Sequence, residues 1–286
     1  MIAGTQGSGN PGGWDYVGTI GGTNGVNGSS GIYLGSYDNT YWVLTANHVG
    51  IGNFYMNGTT YNYVAGSGTQ IGSIDLYMFQ ITVGGGSDLL ALPNLTLSST
   101  TLSASSNVVL IGNGGFTRNA AITRWNVTGT SPGPYTWTEV PTGGNASGYK
   151  YTGARSKSWG NNTIEGTDTI NDTTMLYTDF DNVSGQGQVA PGDSGGGMFY
   201  YNTETSEWEL AGVLDLAGNY VDQPSNTVVF GDLTYAIDVA TYNALITSYL
   251  PATPIPEPST YLLLSSAGLV FLVAWRKKRG LYSVVK

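Results

Sequence analysis

A chain of 286 residues is longer than one small core needs, so one large β domain or two packed subdomains is expected. With only 10% charged residues, 43 Gly, 11 Pro and no Cys, the composition calls for short strands and tight turns; it excludes a helical bundle, a disulfide framework, a thiolate nucleophile, a zinc finger and an iron–sulfur cluster. Ten Lys and Arg against nineteen Asp and Glu, a net of −9, argue against nucleic acid as a partner, and a single His limits metal sites to carboxylates and carbonyls; no metal and no cofactor is expected.

In chain order, residues 1–13 form an N-terminal segment without a basic n-region or an apolar h-region, so no secretory signal is read there. A leader would then lie upstream or have been removed. Residues 14–250 carry short β-branched or aromatic runs separated by Gly, Asn, Asp and Ser, the pattern of an all-β domain. Strands are predicted at 31–34, 40–45, 76–83, 108–111, 121–127, 175–180, 197–201, 207–214 and 227–230. The stretch 131–171, the richest in Gly, Thr and Asn, reads as long surface loops with an insertion. A helix is predicted at 238–250, capped by Asp238 and placing Val239, Tyr242, Ile246 and Leu250 on one face.

Charge then reverses. Residues 1–250 hold 5 basic and 18 acidic groups, a net of −13, whereas 251–286 carry +4. Four prolines make 251–258 a stiff linker, and 259–275 is a run of seventeen uncharged, mostly apolar residues, roughly 26 Å long as a helix and near the lower limit for crossing a bilayer. Arg276, Lys277, Lys278 and Arg279 follow at once, as expected of a single transmembrane segment whose end, 276–286, stays cytoplasmic. Ile255-Pro-Glu-Pro-Ser259, the apolar span and the basic end together resemble the PEP-CTERM sorting tail of Gram-negative and related bacteria. The resemblance implies export, an exosortase-type partner acting near the Pro-Glu-Pro, membrane contact through 259–275, and a location in the envelope or outside the cell.

Three strings carry chemistry. Pro191-Gly-Asp-Ser-Gly-Gly-Gly197 sets a serine between glycines on a tight turn, where the Gly192 and Ser194 amides can aim at one point as an oxyanion hole. Tyr41-Trp-Val-Leu-Thr-Ala-Asn-His-Val49 ends a half-buried strand on the only histidine, and imidazole is the base a serine hydroxyl needs. Gly72-Ser-Ile-Asp-Leu-Tyr-Met-Phe-Gln-Ile81 puts one carboxylate, Asp75, into an apolar strand, where burial demands a partner such as the His48 N–H.

The order His48, Asp75, Ser194 in these contexts resembles the trypsin-like, chymotrypsin-fold serine proteases over roughly 12–250. The resemblance implies two packed six-stranded antiparallel barrels, about 14–115 and 116–237, with the C-terminal helix after them and a peptide substrate in the cleft. It also implies Ser194 as nucleophile, His48 as general base, Asp75 as its orienting group, and an acyl-enzyme intermediate. Gln188, six residues before Ser194, stands at the bottom of the specificity pocket by that match and gives it no anionic base. Asp215 and Leu216 stand where Ser and Trp are usual, Ala217 replaces a glycine, and a second carboxylate near Asp75 would perturb the triad. In activated members the counterpart of Asp193 pairs with a freed N-terminal amine, and Ile2-Ala-Gly-Thr is similar to that terminus. These departures keep a second reading open, a catalytically silent, binding-only envelope or matrix protein on the same fold. The 20 Tyr and 7 Trp keep a third, a β-sandwich carbohydrate-binding module.

Overall fold

The computed structural model describes the backbone of residues 2–3 and all of 9–82 and 92–251. The chain divides into two units, Met1–Leu250 and Pro251–Lys286. The predicted membrane span 259–275 and basic end 276–286 lie outside the described residues; among the described residues no helix is long and apolar enough to cross a membrane.

The first half holds β1 (Ile2–Ala3), β2 (Val17–Ile20), β3 (Ser29–Tyr37), β4 (Thr40–Ala46), β5 (Phe54–Met56), β6 (Thr59–Tyr61), β7 (Thr69–Gln70) and β8 (Leu76–Ile81). Strands β2 to β8 form an antiparallel sheet in the order β6-β5-β2-β3-β4-β8-β7, and a bridge from Tyr63 to Ile81 ties the chain after β6 back to β8. The second half holds β9 (Asn107–Arg118), β10 (Thr123–Thr128), β11 (Thr136–Val140), β12 (Ala146–Ile170), β13 (Thr173–Asp179), β14 (Gly187–Gln188), β15 (Gly197–Asn202), β16 (Glu207–Gly218), β17 (Thr227–Val229) and β18 (Leu233–Asp238). Here β9, β12, β13, β18, β16 and β15 pair in a ring that closes through β12 and β9, with β10, β11 and β17 attached to β12 directly or through β10. Strand β1 pairs with β14, and helix α1 (Val239–Ser248) ends the described fold.

Turn chemistry sets much of this register. Asp38-Asn39, Asn57-Gly58 and Asn171-Asp172 all have positive φ at both positions, as two-residue hairpin turns between twisted strands require. They fix the pairs Tyr37 with Thr40, Met56 with Thr59, and Ile170 with Thr173. Two expectations are corrected. The stretch 131–171 is not a set of loops, since it holds β11 and the 25 residues of β12. Its Thr, Ser and Asn side chains alternate between water and neighbouring strands, and that polarity reads as loop in the sequence. The division between the two sheets falls between Ile81 and Asn107 rather than at 115/116, because β9 pairs with β12 and β15 and not with the first sheet.

Period-two alternation builds three cores at once. In β3, β4 and β8, Tyr33, Val43, Phe79 and Ile81 face the interior of the first sheet, while Ile32, Leu34, Leu44, Leu76 and Met78 face the other way. In β9, Val108 and Leu110 face the interior of the ring, while Val109 and Ile111 join the same cluster as Ile32 and Leu44. That shared layer also takes Val239 and Ile246 of α1. Strands apolar on both faces therefore weld the two sheets together, which explains unbroken runs such as Trp42-Val-Leu44.

Candidate active site

The geometry begins with β4 and β8. Their antiparallel register ends on Ala46 opposite Leu76, so the residues just after β4 and just before β8 must be neighbours. Asn47 N–H donates to the Asp75 carbonyl at 3.0 Å, and a tight turn with Val49 N–H on the Ala46 carbonyl brings His48 round. The Asp75 carboxylate then accepts twice from His48, from its backbone N–H at 2.9 Å and at ring Nδ1 at 2.7 Å. With Nδ1 committed to a carboxylate, Nε2 is left to act as the base. The His48 ring is 44% exposed, so it can be reached from solvent.

Ser194 comes from the turn between β14 and β15, where Gly192 and Gly195 have φ of +100° and +80°. Buried Asp193 anchors that turn, accepting from Gly114 N–H at 2.7 Å and Ala190 N–H at 2.9 Å. Gly195 N–H bonds to the Leu214 carbonyl at 2.8 Å, and the Ser194 carbonyl accepts from Ser30 N–H at 3.0 Å. Ser30 Oγ donates to the Gly192 carbonyl at 2.7 Å and accepts from Asn113 N–H at 2.8 Å. Gly192 carbonyl is thereby held inward. Among the described residues the Gly192 and Ser194 amides donate to no protein acceptor, as an oxyanion hole requires. Ser194 Oγ lies 3.5 Å from the Asp215 carbonyl and forms no hydrogen bond to His48.

Asp215 is the third member, beside Asp75 as expected of a second carboxylate there. The β16–β18 register shifts between Leu214 and Leu216, and this bulge turns the Asp215 side chain into the site. Its carboxyl is 2% exposed and Oδ1 lies 3.4 Å from His48 Nδ1. Burial first, and the Asp75 charge second, push it up to about 7 against the pull of the His48 ring. One ligand-type atom from each of His48, Asp75 and Asp215 lies within 4.8 Å of the others. The 2.7 Å between Nδ1 and Asp75 Oδ2 is the spacing of a shared proton.

Beside Ser194 is a cavity of about 260 Å³ lined by Tyr151, Val189, Ala190, Leu214, Asp215, Leu216, Ala217 and Val228, with Asn219 and Thr227 among its polar groups. Of the four pocket residues expected, Asp215, Leu216 and Ala217 line it. Gln188 does not. It is fully buried, donating from Nε2 to the Leu233 carbonyl and accepting from Thr234 Oγ1, both at 2.9 Å, because β1 and β14 pair there and turn its side chain onto β18. The sequence reading passed over Ser30, Asn113 and the glycines of β9. Glycines within the strand, Gly112-Asn-Gly-Gly115, signalled close backbone approach. A Cβ at Gly112 or Gly114 would lie 2.2 or 2.3 Å from an Asp193 carboxylate oxygen.

Residues 254–279 match the PEP-CTERM protein-sorting motif. No curated protein matches the chain. The body has the chymotrypsin-like fold. A mutant of human heparin binding protein (CAP37) is similar at 14% identity, over 89% of this chain and all of that one, with a TM-score of 0.53. Human heparin binding protein itself is similar at 13% identity, over 87% and 96% of the two chains, with a TM-score of 0.51. Neuropsin, a serine protease expressed in the limbic system of mouse brain, is similar at 13% identity over 87% and 99%, with a TM-score of 0.49.

Proposed function

We propose that the body is a serine endopeptidase that reaches the cell envelope through its PEP-CTERM tail. The observation that carries this reading is the His48 ring, fixed by Asp75 at 2.7 Å beside a serine whose turn has two undonated amides. In the mechanism, rotation of the Ser194 side chain away from the Asp215 carbonyl brings Oγ to His48 Nε2. His48 takes the hydroxyl proton as Oγ attacks the peptide carbonyl, and the imidazolium is stabilised by Asp75. The Gly192 and Ser194 amides receive the oxyanion, and His48 returns the proton to the leaving amine. Water, activated by the same ring, then hydrolyses the acyl-enzyme. The pairing pattern supports two six-stranded barrels around this cleft, the first counting β6 with the residues after it as one strand. The walls of the 260 Å³ cavity favour an uncharged, mainly apolar side chain before the cut. An exosortase-type enzyme is the expected processor of the tail.

The test is covalent labelling. A fluorophosphonate probe is expected to modify Ser194, with Ser194→Ala abolishing the label and His48→Ala reducing its rate at least about 10³-fold. Intact, folded protein that stays unlabelled would overturn the reading. One observation favours the silent alternative: Ser194 Oγ faces the Asp215 carbonyl and not His48. It forecasts normal folding with no labelling.

A further inference from the structure

Asp215 stands beside a His48–Asp75 pair whose hydrogen bond is already made. Its Oδ1 is buried and has no hydrogen-bond partner. His48 Nδ1 lies 3.4 Å away, and its proton is already given to Asp75 Oδ2 at 2.7 Å. A bare carboxylate oxygen in that position would cost several kcal/mol. Adding a proton changes the balance, because the orphan acceptor becomes a donor and the Asp75 carboxylate, within 4.8 Å, is the acceptor at hand.

We propose that Asp215 is a positioning residue that works in its protonated form, donating to Asp75 and keeping a single negative charge behind the His48 ring. This rests on the endopeptidase reading for its consequence but not for its chemistry. The direction of the Asp215 shift, upward from burial and from Asp75, agrees with it. Three titratable groups face Asp215: His48 from the turn after β4, Asp75 from the turn before β8, and Tyr151 across the cavity from β12. Tyr151 is itself raised by burial, Asp232 and Asp193, so it stays neutral while the other groups change. Protonated, Asp215 leaves the His–Asp pair with one negative charge. Ionised, it sets a second carboxylate beside the ring, which holds a proton on the imidazole and withholds the base from Ser194.

The single histidine makes a direct readout available, since the ring C–H resonance of the ¹³C-histidine-labelled full chain belongs to His48 alone. In the wild type that resonance is expected to titrate in two steps. In Asp215→Asn, which keeps a donor but cannot ionise, one step is expected, its midpoint lower by about one pH unit. Superimposable curves would overturn the proposal. Should Asp215→Asn fail to fold, Asp215→Ser, smaller and also a donor, makes the same comparison. Ser194 labelling in parallel separates the two claims: two-step titration with no labelling removes the enzyme and keeps the proton, whereas labelling with unchanged titration does the reverse. In a labelling enzyme, the pH of half-maximal rate is expected to fall by the same amount in Asp215→Asn.

Discussion

Gly195 shows how little room the Ser194 turn leaves. It has φ of +80°, and a Cβ there would lie 2.0 Å from Thr45 Oγ1 and 2.4 Å from the Ser30 carbonyl. Gly143 has a similar φ, +71°, with nothing within 4 Å of its would-be Cβ. Gly143→Ala is expected to cost about 1 kcal/mol from backbone strain alone. Gly195→Ala is expected to cost at least about 3 kcal/mol, since it must also part β3 and β4 from the turn, and to lose fluorophosphonate labelling. Urea unfolding of both variants checks the contrast, and equal midpoints would contradict it. At this scale the sequence was eloquent about His48, Asp75 and Ser194, whose side-chain chemistry is unusual for their neighbourhoods. It was silent about Ser30, one serine in a Ser-rich hairpin, because its work depends on a contact 162 residues away.

Individual elements were legible in proportion to their apolar content. Strands β4, β8, β15 and β16 announce themselves by runs that are buried on both faces. Strand β12 does not, because its pairing is set by backbone hydrogen bonds to β9, β10, β13 and β17 while many of its side chains meet water. The bulge at Asp215 was equally hidden, since a one-residue register shift leaves no trace in composition. Helix α1 was read from its cap, and the cap does more than its sequence suggests. Asp238 accepts from Ala240 N–H at 3.2 Å, and from the Thr101 and Thr241 hydroxyls at 2.6 Å each. An ordinary cap is worth about 1 kcal/mol; Asp238→Ala is expected to cost about 1 to 2 kcal/mol, because it also removes the acceptor of two part-buried hydroxyl hydrogen bonds. A thermal midpoint unchanged within error would refute this.

Across the whole body, a few buried titratable groups tie stability to pH. Asp232 is pushed up from 3.8 to about 6 by burial, which outweighs the Val229, Gln223 and Tyr220 donors pulling it down, and Asp215 is pushed to about 7. A carboxyl that holds its proton more tightly when folded adds stability at low pH that is lost as the pH rises through its folded value. Lys157, drawn down to about 7 by burial with Asp15 opposing, acts in the other direction: the folded amine gives up its proton first, so stability returns as the pH climbs from about 7 toward 10. The thermal midpoint is therefore expected to fall between about pH 4 and 7 and to recover above it. Asp232→Asn should flatten the first limb by an amount on the order of 2 to 3 kcal/mol, and Lys157→Met the second. Calorimetry across pH checks both, and an optimum at neutrality would contradict them. Finally, Ser30 belongs to the first sheet yet holds both carbonyls that flank Asp193 in the second. Ser194 cannot be set in place until β3 of the first sheet has met the turn between β14 and β15 of the second, so the site is finished only when both halves of the body have folded.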